Sequence, residues 1–189
     1  MTAGTELLQQ VLDAFPALSL LVEDDVSVVA FNTAASRALS LDERSLRQLT
    51  GNVLFCVNAF EGGCGQTRKC RNCDVRLSIS AAYSGEVVER RRTRMRLRVD
   101  GKERDFYLLV SAAPFELGGA LRVLLVIENI TELVVLRDLL PECPRCRRRR
   151  DEPDYWQRVD GYITEHVDEL AGQQVCQRCT AELGHGGGS

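Results

Sequence analysis

The eight cysteines of this 189-residue chain fall into two sets of four, and that partition constrains the fold more than any other feature. Cys56, Cys64, Cys70 and Cys73 lie in one stretch with the spacing C-x7-C-x5-C-x2-C. Cys143, Cys146, Cys176 and Cys179 form two pairs, CPRC and CQRC, with 29 residues between them. No cysteine stands between positions 74 and 142. The N-terminus, MTAGTELLQQ, has neither the basic start nor the apolar centre of a secretory signal. No apolar run approaches the roughly 20 residues that cross a bilayer. The chain therefore reads as cytoplasmic, with no membrane partner. In a reducing compartment, cysteines grouped this way point to metal or redox chemistry rather than to a disulfide framework.

Four thiolates complete a tetrahedral zinc site or hold an iron–sulfur cluster. Either needs ligands that converge from a pliant loop, and EGGCGQTRKCRNC supplies Gly62, Gly63 and Gly65 around the sulfurs. Backbone N–H groups freed in such a loop reach the sulfurs, while Arg68, Lys69 and Arg71 offset thiolate charge. Two competing readings stay open. One is thiol–disulfide exchange at Cys70-Arg71-Asn72-Cys73; the other is four small residues packed in a core, which the polar surroundings disfavour.

The scaffold follows from periodicity. TELLQQVLDAF puts Leu8, Val11, Leu12 and Phe15 on one helical face, and Pro16 ends it. Strands are expected at Leu18 to Val22 and Val26 to Phe31, around an acidic turn. NTAASRAL reads as a short helix capped by Asn32, DERSLRQL as another, and CDVRLSISAAYSG as a third, closed by Gly85. Three strands then alternate with turns at Asp100-Gly101 and Gly118-Gly119. TELVVLRDLL starts a helix at Thr131, where Leu133, Leu136, Leu139 and Leu140 form a stripe. The expected class is α+β, a five-stranded antiparallel sheet with short helices on one side and a small metal-bound C-terminal subdomain.

In this element order over residues 5–131, together with FNTAASRAL, VDG, AAPF and the exit motif ENITEL, the chain resembles a PAS domain, the sensory module of bacterial signalling proteins. Asn129 stands where that exit motif usually has Asp. The resemblance implies a cofactor or ligand held against the sheet, or dimerisation. Histidine-ligated haem is disfavoured, because His166 and His185 both lie outside the PAS-like region. A light-sensing flavin wants amide side chains on the last strands, and DFYLLVSAAPF and LRVLLVIE have none. That leaves Cys56, Cys64, Cys70 and Cys73 as the cofactor-binding residues, for an iron–sulfur cluster or zinc. A sensor's need for a redox- or oxygen-labile group tilts the reading toward the cluster.

Paired CxxC knuckles make Cys143, Cys146, Cys176 and Cys179 a zinc site. The insert carries its own helix, with Trp156, Val159, Ile163 and Val167 at helical spacing, which closes a domain too small for a core of its own. This region resembles a cysteine-rich, zinc-ribbon-like tail found after PAS or receiver domains. A His-Gly before the second pair and a Pro-Glu inside it are replaced here by Gln173-Gln174 and Gln177-Arg178. His166 is surplus to four thiolates, and His185 sits in a GHGGGS tail. The expected domains are a sensor at 5–131 with its four-cysteine insert at 56–73, a linker helix at 132–142, the zinc tail at 143–180 and a flexible end at 184–189.

Arg90, Arg92, Arg94, Arg96 and Arg98 alternate along one strand, so a period of two gathers them on one face while Met95, Leu97 and Val99 turn to the core. RCRRRR at 145–150 adds a second basic cluster. Solvated pairing with nearby acids is the plain reading; an anionic partner is the alternative. No P-loop, nucleophile elbow or HExxH occurs, and the first 165 residues hold no histidine, so no catalytic residue is assigned. The sum is a non-enzymatic sensor of redox, oxygen or metal state acting on a signalling protein in trans, such as a kinase or regulator, or through a homodimer. A nucleic-acid-binding adaptor and a CxxC thiol oxidoreductase are the alternatives.

Overall fold

A computed structural model describes residues 3–139 of the chain. The zinc-tail cysteines Cys143, Cys146, Cys176 and Cys179, both histidines and the second basic cluster lie outside these residues. The chain divides into two compact units, Met1–Val134 and Val135–Ser189. The first holds the whole sheet. In chain order it contains α1 (Ala3–Asp13), β1 (Leu18–Val22), β2 (Val28–Phe31), α2 (Thr33–Leu39), α3 (Thr50–Val53), α4 (Val57–Gly62), α5 (Asp74–Tyr83), β3 (Val88–Val99), β4 (Lys102–Leu117) and β5 (Ala120–Asn129). Helix α6 (Thr131–Leu139) follows, and two 3-10 turns cover Glu43–Ser45 and Arg68–Asn72.

All five strands form one antiparallel sheet in the order β2-β1-β5-β4-β3. The α+β expectation holds for the described residues, helices and strands being segregated as the element order implied. Both long hairpins turn on two left-handed residues, Asp100-Gly101 (φ 51 and 73) and Gly118-Gly119 (φ 60 and 76). That geometry matches the twist of the paired strands. Leu20, Val22, Val110, Val123 and Leu125 are fully buried on one face, and Ile79 from α5 packs into the same core.

Asn32 locks the start of this arrangement. It is fully buried, yet each polar atom is used. Its Oδ1 accepts from the N–H of Ser19 (3.1 Å) and of Ala35 (2.8 Å), capping α2. Its Nδ2 donates to the carbonyls of Phe15 and Ala17, both at 2.9 Å. One side chain thus joins the end of α1, β1 and α2, at a site where an unpaired amide would be costly.

Several local expectations change. DERSLRQL yields only the 3-10 turn Glu43–Ser45, capped by Asp42, because residues 47 and 48 leave the helix to bond to Val28 of β2. Val26 is not in a strand: it takes φ 65, rare for a β-branched residue. Thr50 holds it there, its N–H and hydroxyl both donating to the Val26 carbonyl at 2.9 and 2.6 Å. The α1 face splits, with Leu12 buried but Val11 and Phe15 exposed. At the exit, Asn129 Oδ1 accepts from the Thr131 N–H (3.0 Å), while the Thr131 hydroxyl accepts from Tyr107 N–H (2.9 Å). Asn129 is therefore the capping side chain, and Thr131 ties the exit to β4.

Replacing Asn32 with Leu leaves the Ser19 and Ala35 N–H groups without their buried acceptor. We expect Asn32→Leu to lower the unfolding free energy by about 3 kcal/mol, measured by urea denaturation.

Candidate functional site

A strap of chain, residues 47–56, crosses the helical side of the sheet and is fastened to both edge strands. At β2, Arg47 N–H donates to the Val28 carbonyl (2.7 Å) and Val28 N–H to that of Gln48 (2.9 Å). At β3, Arg98 N–H donates to the Phe55 carbonyl (2.9 Å), and Cys56 bridges to Leu97. The strap therefore fixes Cys56 against an edge of the sheet, just before α4. The loop between α4 and α5 brings the other three cysteines back to it. Cys56, Cys64, Cys70 and Cys73 all line one small cavity of about 30 Å³, with Gly51, Leu54, Met95 and Arg76 among the remaining walls.

All four thiols are free, and Cys64 is buried while the other three are half-buried. Among the described residues, no three His, Cys, Asp or Glu side chains are gathered tightly enough to hold a metal ion as they stand. The quartet thus converges on one space without closing on one point.

Cys56 and Cys73 occupy the N-cap positions of α4 and α5. Neither sulfur closes a cap hydrogen bond, but both face the positive ends of helices. Burial pushes both thiols above the ordinary value of 9.0; the N–H groups of Asn58 and Ala59 beside Cys56, and of Arg76 and Val75 beside Cys73, pull the other way and only partly offset it. Cys70 behaves differently. Burial raises it too, but the Thr67 hydroxyl 3.2 Å away, the N–H groups of Gly65 and Thr67 and the Arg76 charge together hold it below 9.0.

Charge compensation comes from an unexpected place. Arg68, Lys69 and Arg71, the cations nearest in sequence, are exposed and do not line the cavity. Arg76, one turn into α5, does, and it has no carboxylate within 4.0 Å among the described residues. Its guanidinium lies against Gly65, 3.1 Å from where a Cβ would stand, in a loop residue at φ 89. The signal was present in CDVR: three residues past Cys73, a side chain on the first turn of a helix points back over its own N-terminus. Gly51 is needed for space, since a Cβ there would stand 2.6 Å from Cys64 Sγ.

A larger cavity of about 800 Å³ lies on the other side of the strap, between α2 and the sheet. Its walls are mostly apolar, including Leu39, Phe55, Leu97, Phe106 and Leu108, and Leu54 borders both cavities. Four of the five arginines in the β3 row are engaged in ion pairs. Arg94 and Arg96 both pair with Asp105, Arg98 with Glu103, and Arg90, displaced into a bulge at φ 46, with Glu128. These are solvated pairs of small energetic worth. Met95 and Leu97 are buried as the alternation requires, and Val99 packs on the core's margin.

No family model matches the sequence, and no curated protein does. Solved structures similar to the chain include the PAS domain of nitrogen regulation protein NR(II) from Vibrio parahaemolyticus, at 16% identity over 66% of this chain and 98% of that one, TM-score 0.45. The PAS domain of an HTR-like protein from Haloarcula marismortui is similar at 17% identity over 67% and 92%, TM-score 0.46. That of BvgS from Bordetella pertussis is similar at 16% over 73% and 95%, TM-score 0.44. No helix among the described residues is long and apolar enough to cross a membrane.

Two outcomes follow from this geometry. Gly51→Ala should displace Cys64 and cost about 1–3 kcal/mol of stability by denaturant titration. In metal-free protein near neutral pH, iodoacetamide should label Cys70 before Cys56 and Cys73, because its depressed pKa leaves more thiolate; Thr67→Val should slow that labelling, as read by peptide mass spectrometry.

Proposed function

We propose that residues 3–139 are a PAS-like sensory module without catalytic activity, and that Cys56, Cys64, Cys70 and Cys73 hold one zinc ion. The observation that carries this reading is the convergence of all four cysteines on a single cavity that Arg76 also lines, with no carboxylate within 4.0 Å of it among the described residues. The donor set suits zinc, which takes four thiolates in a tetrahedron. About 30 Å³ suits one ion closed in by a small inward movement of the sulfurs. The same four thiolates could hold an iron–sulfur cluster, toward which the sequence tilts; the small cavity favours the single ion. When bound, the ion supplies a cross-link between the strap, the loop and α5. The chain's own residues hold the thiolates through helix N-termini, and Arg76 offsets their charge.

On this reading the module reports metal or thiol redox state. Gain or loss of the cross-link changes the strap, the strap pulls on β3, and the sheet carries the change to the exit at Thr131, which is bonded to β4. The receiver is a signalling protein, a kinase or regulator acting in trans. The second quartet, Cys143, Cys146, Cys176 and Cys179, is proposed as a structural zinc site in its own right.

Metal analysis of the full chain tests this. We expect two zinc ions per wild-type chain and one in Cys73→Ser, with the fold kept. Equal zinc in both proteins would remove the first site. Because Cys56 and Cys73 are held above 9.0 and are protonated near neutrality, zinc must displace their protons. Affinity at the first site should therefore climb from about pH 6 to about pH 8, with proton release measured by calorimetry in buffers of different ionisation enthalpy.

A further inference from the structure

Strand β3 is an edge of the sheet, and its hairpin geometry decides which of its backbone groups face outward. Val99 and Lys102 flank the two-residue turn Asp100-Gly101, so they form its closing hydrogen-bonded pair. Hydrogen-bonded pairs recur at every second position: Leu97 with Arg104, Met95 with Phe106, Thr93 with Leu108. The positions between them, Arg92, Arg94, Arg96 and Arg98, therefore aim their N–H and C=O groups away from β4. Arg98 shows this directly, since its N–H donates to the Phe55 carbonyl of the strap (2.9 Å). The strap turns into α4 at Val57, so its pairing with β3 ends there. At the other end, the bulge between Val88 and Arg91 breaks the ladder. Between these limits, Arg92–Arg96 presents an open edge about 17 Å long, at about 3.4 Å per residue. Among the described residues, no backbone group beyond β4 bonds to it.

The residues of this open edge also carry unmatched charge. Arg94 and Arg96 share one carboxylate, Asp105. Arg92 has none within 4.0 Å among the described residues, and its neighbour across the ladder is Leu109. Three exposed guanidinium groups thus face a single carboxylate. By the period of two they lie on the face of the sheet opposite Met95 and Leu97. A second copy of this chain, added edge to edge, would set arginine beside arginine, and like charges directly opposite are destabilising. A strand with a carboxylate at every second position meets opposite charge instead.

We propose that the Arg92–Arg96 edge docks an acidic extended segment of a partner protein, which joins the sheet as an added strand with carboxylates beside Arg92, Arg94 and Arg96. Backbone hydrogen bonds give such an addition its affinity, and the side chains at alternate positions give it specificity. The partner residues opposite the three arginines form hydrogen-bonded pairs with them, so their side chains fall on the arginine face within reach of the guanidinium groups. The site needs neither bound zinc nor a particular state of the thiols, and its test is independent of the metal reading.

A fluorescein-labelled peptide of sequence TETETET serves as probe on the full-length protein at low ionic strength, read by fluorescence anisotropy. Saturable binding is expected, falling as salt is raised. Arg92→Gln should weaken it about three-fold, the size of one exposed ion pair. Amide exchange followed by NMR should slow at Arg92, Arg94 and Arg96 when peptide is added, and stay unchanged at Arg98, which the strap already holds. TKTKTKT should not bind. A peptide of unchanged charge whose glutamates are N-methylated cannot donate to the edge, and should bind at least about ten-fold more weakly. The peptide and exchange arms use the wild-type protein, so they stand whatever the folding of the variant. No saturable binding, equal binding of the basic or the N-methylated peptide, unchanged affinity in a folded Arg92→Gln, or slowed exchange elsewhere than at these three residues overturns the proposal.

Discussion

An open five-stranded sheet leaves two edges with unpaired N–H and C=O groups, and this chain uses one ten-residue strap to reach both. Residues 47 and 48 bond to β2, and residues 55 and 56 bond to β3. Such bonds blunt edges that would otherwise pair with other chains. They also set the position of everything on the helical side. Thr50 anchors the left-handed Val26, Gly51 gives Cys64 its space, Leu54 divides two cavities, and Cys56 begins α4. Left-handed backbone at Arg47 (φ 64) and Phe55 (φ 55) brackets the strap. Strain of this kind persists only where surrounding bonds over-determine it.

The thiol site is an electrostatic compromise built on that strap. At Cys56 and Cys73 burial favours the neutral form, while the N–H groups of the helix N-termini favour the charged form. Cys70 lies on the other side of this balance, where the Thr67 hydroxyl and two backbone N–H groups prevail.

How far the sequence discloses this depends on the range of the forces involved. Strand hairpins at Asp100-Gly101 and Gly118-Gly119, the Asn32 cap and the α5 helix are legible because turn chemistry, capping and periodicity act over a few residues. DERSLRQL misled because its helical pattern competes with strap-to-β2 hydrogen bonds that only the sheet supplies. The β-bulge between Val88 and Arg91, which breaks the register at Arg90, is likewise set by pairing with β4 and not by local pattern. Arg76 was passed over for Arg68, Lys69 and Arg71, since proximity along the chain is a poor guide to proximity across a helix terminus.

The amino-acid order alone determined the strand and helix sequence, the α+β class, the identity of the four candidate ligands and the flexibility around them, all properties of residue type and short spacing. Tertiary structure decided which side of the sheet the cysteines converge on, which arginine joins them, and that a second, apolar cavity shares their wall. Those facts arise from contacts between segments tens of residues apart, where the fold brings Cys56 to Leu97 and Thr50 to Val26. No local pattern encodes such distances; they follow from how the strap is fastened across the sheet.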